Sequence, residues 1–175
     1  MSDSFKEINP EIITDNPFRL LDKDWMLITA GIANSNRTFN TMTASWGGLG
    51  ILWNKKVAIC FVRPTRYTYE FIEKNELYTL SFFEKKYREA LNICGTQSGR
   101  SVDKVAEAGL TAFEIKPGAV TFNEARMVLV CKKLYTQDLD PERFIDQTIE
   151  SHYPGKDYHR MYIGDIIGTY TKKVD

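Results

Sequence analysis

Cysteine is scarce and widely spaced in this chain of 175 residues. The three cysteines, Cys60, Cys94 and Cys131, are odd in number and form no Cys-x-x-Cys pair. Disulfide frameworks and structural zinc sites need cysteines paired at close, recurrent spacings. The sequence therefore predicts three buried free thiols and no metal site.

An excess of one charge is also absent, because 23 basic residues balance 23 acidic ones. Without a uniform positive field, the chain is not expected to attract nucleic acid or an anionic membrane. The longest clearly apolar runs, such as residues 127–131, fall far short of the ~20 residues that span a bilayer. Residues 1–10 lack the basic start and apolar stretch of a signal peptide. We therefore predict a cytoplasmic protein that binds neither nucleic acid nor membrane and holds any anion through local donors.

The composition is that of a folded domain. Hydrophobic residues make up 43% and charged residues 26%, close to globular averages, and the length suits one domain of roughly 100 to 200 residues. No repeat or low-complexity linker interrupts the chain. We predict a single domain over residues 1–175, in which residues 1–15 form an entry arm.

Segments with strand-like patterns dominate the chain. Residues 26–34 and 39–46 are predicted to form a hairpin around polar residues 35–38, and further strands are predicted at residues 56–62, 77–83, 113–115, 119–122, 126–135 and 158–170. Helices are predicted at residues 65–75, 85–94, 102–105 and 141–149. The first should begin at Thr65, the second should stop at Gly95, and Ser101 should cap the third. Because alternating βαβ units are absent, the fold class is mainly β with helices, a β-barrel with helical decorations.

Two polar turns are suited to an anion. The segment RPTRYT at residues 63–68 sets two guanidinium groups and two hydroxyls at a strand end and a helix start, where free N–H groups favour negative charge. The segment SGRSVDK at residues 98–104 adds a second hydroxyl-rich turn and a lysine. Taken alone, the first turn is better explained as an ordinary threonine cap with solvated arginines, and neither turn matches a Walker or dinucleotide fingerprint. Together they indicate a phosphorylated cofactor.

A predicted strand rich in small hydroxyl residues precedes both anion turns in the sequence. The segment NTMTASWGG at residues 40–48 offers backbone and side-chain hydrogen bonds to a flat polar ring such as a flavin. An exposed edge strand whose threonines reflect β-propensity explains the same pattern. Spacing alone does not separate the two interpretations.

Five motifs in this order resemble the flavin reductase-like family of FMN-binding split barrels, its flavoredoxin-like branch especially. They are NTMTASWGG, VAICFVRPTRYTYEFI, LYTLSFF, CGTQSGRSVDKVAEAGL and HRMYIGDI, and the resemblance covers about residues 15–171. It implies a homodimeric Greek-key split barrel that carries one non-covalent FMN per subunit, often near the subunit interface. The residues it implies around the isoalloxazine ring are Asn40, Thr41, Met42, Thr43, Ala44, Ser45 and Trp46. Those it implies around the phosphate are Arg63, Thr65, Thr68 and Lys104, with Tyr67, Ser98, Gly99 and Arg100 beside them.

The chemistry implied by this resemblance requires little of the protein. Hydride passes from NAD(P)H to the flavin, so the cofactor carries the reaction and the protein positions both rings. His159 resembles the histidine that the reductase branch places near its nicotinamide site, although a structural hydrogen bond is the alternative for a lone histidine on a strand. Trp46 is a candidate to contact the flavin ring, and plain core packing is its alternative. His152 is predicted in a loop, near the flavin or exposed.

Two functions stay open at this point. One is an NAD(P)H-dependent flavin or FMN oxidoreductase that passes electrons to a small-molecule or protein acceptor. The other is a flavoredoxin-type FMN electron carrier without efficient NAD(P)H turnover.

Overall fold

The protein is built mainly from antiparallel strands. The computed structural model describes residues 4–33 and 38–173. The strands in these ranges are β1 (Phe5–Glu7), β2 (Met26–Ile32), β3 (Thr38–Ala44), β4 (Gly47–Leu52), β5 (Lys55–Val62), β6 (Leu77–Phe83), β7 (Ala112–Lys116), β8 (Ala119–Phe122), β9 (Ala125–Asp138) and β10 (Arg160–Lys172). The α-helices are α1 (Pro17–Arg19), α2 (Tyr67–Lys74), α3 (Arg88–Thr96) and α4 (Lys104–Glu107). There are also 3₁₀ turns at Pro10–Ile12, Lys85–Tyr87, Pro141–Arg143 and Gln147–His152, and a π-helical turn at Leu20–Asp24.

One large sheet curls into the body of the fold. Its strand order is β3-β2-β6-β9-β10-β5-β4, β1 pairs with the end of β10, and β7 and β8 form a separate hairpin. The two end strands of this path, β3 and β4, are joined only by Ser45 and Trp46. Because this link is so short, the sheet has to curl until β3 comes near β5. The seam where the two edges approach is where the candidate site lies.

Both faces of the central strands are buried, so these strands read as continuous apolar runs. On β2, Leu27 and Ile28 point to opposite faces and both are fully buried. Ile28 packs with Leu80 and Leu129 inside the curled sheet. Leu27 packs with residues such as Val128 in a second cluster, which includes residues of α3 and of the β7–β8 hairpin.

Most of the predicted strands are confirmed, and the differences have local causes. The predicted hairpin of the first two long strands is present as β2 and β3, paired antiparallel. Of its predicted turn, residues 35–38, Thr38 already belongs to β3, and residues 35–37 lie outside the described residues. Strand β4 was not predicted, because its sequence GGLGIL is rich in glycine, which weakens strand propensity. Strand β1 was not predicted either, since residues 5–7 become a strand only by pairing with β10.

The predicted helix boundaries were wrong in three places. Helix α2 begins at Tyr67, with Arg66 as its N-terminal cap in place of Thr65. Helix α3 runs past Gly95, whose missing side chain allows close approach to Thr43, since a Cβ there would lie 3.2 Å from Thr43 Cβ. Helix α4 is capped by Asp103, which accepts a hydrogen bond from the Ala106 N–H at 3.1 Å, and Ser101 has no part in that cap.

The predicted helix at residues 141–149 was also wrong. Two separate turns replace it, Pro141–Arg143 and Gln147–His152. Asp146 accepts hydrogen bonds from the N–H of Thr148 at 2.9 Å and from its hydroxyl at 2.7 Å. Such an aspartate cap favours a new turn over continuation of the first one. No helix in the described ranges is long and apolar enough to span a membrane.

Candidate functional site

Two cavities lie along strand β3. The first, of about 310 Å³, is lined by Met42, Thr43, Ala44, Ser45, Trp46, Phe61, Arg63, Arg66 and His159. The second, of about 360 Å³, is lined by Phe39, Asn40, Gly99, Arg100, Ser101, Val102, Asp103, Lys104 and Val105. The fold thus brings the predicted ring-facing strand together with both predicted anion turns. Of the predicted residues, Thr41, Thr65, Tyr67, Thr68 and Ser98 line neither cavity.

The backbone of β3 is the part of this strand that can bind a ligand. Within the described residues β3 pairs only with β2, and an edge strand presents unpaired N–H and C=O groups. Its threonine hydroxyls are already engaged: Thr41 Oγ1 lies 2.8 Å from Thr29 Oγ1, and Thr43 Oγ1 donates to the Leu91 carbonyl at 2.5 Å. The edge of β3 can therefore supply a polar ring with backbone donors and acceptors.

The two anion turns meet at Asn40. Its Nδ2 donates to Thr68 Oγ1 at 2.8 Å, which ties β3 to α2. Gly99 packs directly against the same side chain, because a Cβ there would lie 3.1 Å from Asn40 Cγ, 3.3 Å from Tyr67 Cδ1 and still closer to Asn40 Oδ1. Only glycine lets the turn at residues 98–101 approach the strand this closely.

Two largely buried cations lie here without a carboxylate partner in the described parts of the chain. Lys104 is 3% exposed, and its Nζ donates to the carbonyls of Cys94 at 3.2 Å and Gln97 at 3.3 Å. Burial, with the nearby charge of Arg66, lowers the pKa of Lys104 to about 8, against a smaller opposing effect of Cys94. Arg66 Nη2 is buried and has no hydrogen-bond partner among the described residues. Burial also lowers the pKa of Arg66, as does the charge of Arg63. A buried donor without a partner is costly, so this pair is suited to an anion.

The two arginines that the resemblance placed at or beside the phosphate, Arg63 and Arg100, already have carboxylate partners. Arg63 Nη1 lies 2.7 Å from Asp157 Oδ1, and Arg63 Nη2 donates to the His152 carbonyl at 2.8 Å. Arg100 forms an ion pair with Glu70 and lies 4.6 Å from the centre of the Tyr67 ring. Arg63 and Arg100 therefore hold neighbouring segments in place. Arg66 lies in the predicted motif at residues 63–68 but was not assigned to the phosphate, because no sequence pattern shows which of two arginines has a carboxylate partner.

Trp46 lies at the exposed mouth of the first cavity, beside two histidines. Trp46 is 43% exposed, and its ring centre lies 5.5 Å from that of His152 and 5.0 Å from that of His159. These are the chain's two histidines. His159 is buried, and its Nδ1 lies 2.9 Å from the Tyr153 hydroxyl. Burial and the charge of Arg63 lower the pKa of His159 to about 4, and Asp157 opposes this shift. At neutral pH this histidine is uncharged.

Most of the chain also matches the sequence pattern of a known protein family. The sequence pattern of the flavin reductase-like domain matches residues 19–174. The chain belongs to the flavin reductase-like domain family. No curated protein matches the sequence significantly.

Solved structures share the fold of this flavin reductase-like domain at low sequence identity. Flavoredoxin from Methanosarcina acetivorans is 20% identical, with a TM-score of 0.66 over 96% of this chain and 75% of that one. An FMN-binding domain of a flavin reductases-like enzyme from Shewanella baltica is 17% identical, with a TM-score of 0.67 over 98% and 80%. A protein from Shewanella frigidimarina whose structure is named for its split barrel domain is 17% identical, with a TM-score of 0.66 over 95% and 76%. The predicted split-barrel fold and family are thereby confirmed.

Proposed function

We propose that this chain binds one FMN non-covalently along β3, with its phosphate at Arg66 and Lys104. The observation that carries the proposal is the pair of largely buried cations that have no carboxylate partner among the described residues, one of which also has a buried N–H group with no partner there. The FMN phosphate carries close to two negative charges and several strong acceptors. Charge-assisted hydrogen bonds to such a group are among the strongest that a protein makes.

The first cavity suits the isoalloxazine ring. Its β3 side carries the small side chains of Ala44 and Ser45, and Trp46 and Phe61 supply aromatic surface. The edge of β3 offers N–H and C=O groups to the polar rim of such a ring. Thr41 lies outside this arrangement, because its side chain is fully buried against Thr29.

We further propose an oxidoreductase that moves electrons from NAD(P)H to a small-molecule or protein acceptor. When bound, FMN supplies the hydride and electron chemistry. The chain's residues bind and orient: Trp46 forms the wall of the cavity mouth, and His159 places an uncharged imidazole beside it. A flavoredoxin-type electron carrier is the second candidate, favoured by the shared fold with the flavoredoxin from Methanosarcina acetivorans.

Two measurements on the purified protein test these proposals. We expect flavin absorption and release of a compound that migrates as FMN. Anaerobic mixing with NADH or NADPH should bleach the yellow band quickly if the protein is a reductase, whereas an unbleached band favours the carrier. A colourless preparation that also fails to bind added FMN would show that the site does not hold this cofactor.

The affinity for FMN should fall as the pH rises through 8. Lys104 in the free site has a pKa of about 8, and a bound phosphate dianion would raise that pKa because it stabilises the ammonium form. The complex therefore holds a proton that the free site loses above pH 8. When one proton is lost from the free site, Kd rises tenfold for each pH unit above the pKa and hardly changes below it. From pH 7 to pH 9 we therefore expect Kd to rise by ~10-fold. Fluorescence titrations at each pH measure this, and Lys104→Met should bind more weakly with a nearly flat profile in this window.

A homodimer is also proposed, because apolar side chains are exposed together at β4 and its neighbours. Ile51 is 70% and Trp53 is 56% exposed, and the ring of Trp53 lies 6.2 Å from that of Tyr135, which is itself exposed. Aromatic residues of this kind are enriched in protein interfaces. Light scattering at micromolar concentration should give twice the 20.2 kDa chain mass, and Trp53→Glu should shift the mass toward one chain. A wild-type mass near that of one chain would exclude the dimer.

A further inference from the structure

Residues 139–159, here called the strap, connect β9 to β10 and lie beside the first cavity. The Leu139 N–H donates to the His159 carbonyl at 2.9 Å and closes the base of the strap. Arg63, at the end of β5, holds it through Asp157 and the His152 carbonyl. The strap is therefore fixed to the barrel at several points, although its residues form only short helical turns.

Aromatic rings fill the inside of the strap. The ring centre of Tyr153 lies 6.1 Å from that of Phe144 and 4.9 Å from that of Tyr158. Tyr153 is 3% exposed, and the Arg63 guanidinium lies 5.1 Å from its ring centre. The Tyr158 hydroxyl points elsewhere and donates to Glu150 at 2.6 Å. Tyr153 and Tyr158 thus share one aromatic cluster but have different hydrogen-bond partners.

The hydroxyl of Tyr153 reaches His159. Its oxygen lies 2.9 Å from Nδ1, and the two rings meet edge to face at 5.6 Å. A phenol is a good donor and an imidazole nitrogen a good acceptor, so this geometry allows the O–H to donate to Nδ1, and the ring hydrogen would then be on Nε2. The groups around this imidazole are Tyr153 and Asp157 from the strap, Trp46 from the β3–β4 link, and Phe61 and Arg63 from β5 and its end.

We propose that Tyr153 is a positioning residue, which holds His159 as an Nε2–H donor toward a carbonyl oxygen of the planar substrate beside Trp46. The hydrogen bond from the strap engages Nδ1 and leaves Nε2 without a strap partner in the described residues, and His159 lines the first cavity. A nicotinamide carboxamide or a small carbonyl acceptor presents such an oxygen. The hydrogen bond from Nε2–H to a substrate oxygen rests on the proposed function. The tautomer of His159 and its dependence on Tyr153 do not.

The tautomer can be read directly by NMR of protein labelled with 15N-histidine. The chain has only two imidazoles, and His159→Asn assigns their signals. In the wild type we expect His159 to be a single Nε2–H tautomer that stays neutral from pH 8 to pH 5, in keeping with its pKa of about 4. Tyr153→Phe, which keeps the ring packing, should mix the two tautomers, and Tyr158→Phe is the matched control that should leave them unchanged. A wild-type Nδ1–H tautomer, or an unchanged spectrum in Tyr153→Phe, would overturn the proposal.

Stopped-flow reduction by NADH and NADPH tests the consequence for the reaction. Tyr153→Phe should lower the reduction rate constant or raise the apparent KM by ~5- to 50-fold, as expected for one misplaced hydrogen bond, with FMN affinity unchanged. In the His159→Asn background the same change should have no further effect, because Tyr153 acts through His159. Equal losses in both backgrounds would refute this role. If neither nicotinamide reduces the wild-type flavin, the reductase function is wrong, and the NMR result alone decides whether Tyr153 positions His159.

Discussion

Replacing both Arg66 and Lys104 with alanine should abolish tight FMN binding while changing the binding of riboflavin far less. Each cation loses a charge-assisted hydrogen bond to the phosphate, worth about 1.5 to 3 kcal/mol. Each single variant should therefore raise Kd by ~10- to 150-fold, and the double variant by up to ~10⁴-fold, less if the two neighbouring charges are coupled. Riboflavin has no phosphate, so its affinity reports only on the ring site. Fluorescence titration of the flavin-free protein measures both ligands.

Arg63→Ala is the informative control for this experiment. The resemblance to the family implied Arg63 at the phosphate, whereas the structure pairs it with Asp157 at 2.7 Å. We expect Arg63→Ala to change FMN affinity by less than about 5-fold, in the range of a partly exposed ion pair. If Arg63→Ala weakens FMN binding as much as Arg66→Ala does, the phosphate lies at Arg63 and our placement is incorrect.

Gly164→Ala should destabilise the fold by about 3 kcal/mol, the upper end of the range for overpacked cores. Gly164 lies on β10 between β5 and β9. A Cβ there would lie 2.9 Å from Cys131 Cβ and from Tyr78 Cζ, and closer still to the Tyr78 hydroxyl oxygen. Tyr78 and Cys131 are both fully buried, so neither can move aside without disturbing the core. Urea unfolding midpoints of the wild type and the variant measure the loss.

Two further variants show whether the Tyr78 contact is the cause. Gly50→Ala is the matched control, because among the described residues nothing beyond its own chain neighbours lies within 4 Å of its Cβ position on the exposed strand β4. Its stability should equal or slightly exceed that of the wild type. Tyr78→Phe removes the closest atom, so Gly164→Ala should cost less in that background. The same cost in both backgrounds would mean that strain elsewhere explains the destabilisation.

Alternation and apolar runs were sufficient to predict most of the sheet. Residues 77–83 were predicted as a strand with the same bounds as β6, because both faces of this strand are buried and every residue contributes to the pattern. Residues 141–149 were predicted as one helix, but local aspartate caps at Asp140 and Asp146 divide them into two turns. Short-range hydrogen bonds of this kind compete with helix formation at a scale that periodicity does not resolve.

The candidate site was predicted as a set of segments, and the tertiary structure decided which of their side chains are paired with one another. By itself the sequence singled out residues 40–46 for their small hydroxyl side chains, and residues 63–68 and 98–104 for combining hydroxyl groups with cations. It did not determine that Arg63 is paired with Asp157, 94 residues away, and that Arg66 keeps a buried N–H group without a partner among the described residues. The sequence also did not show that Trp46 lies next to both histidines. Pairing and burial depend on which distant segments the curled sheet places side by side, and those contacts leave no periodic signal in the local sequence.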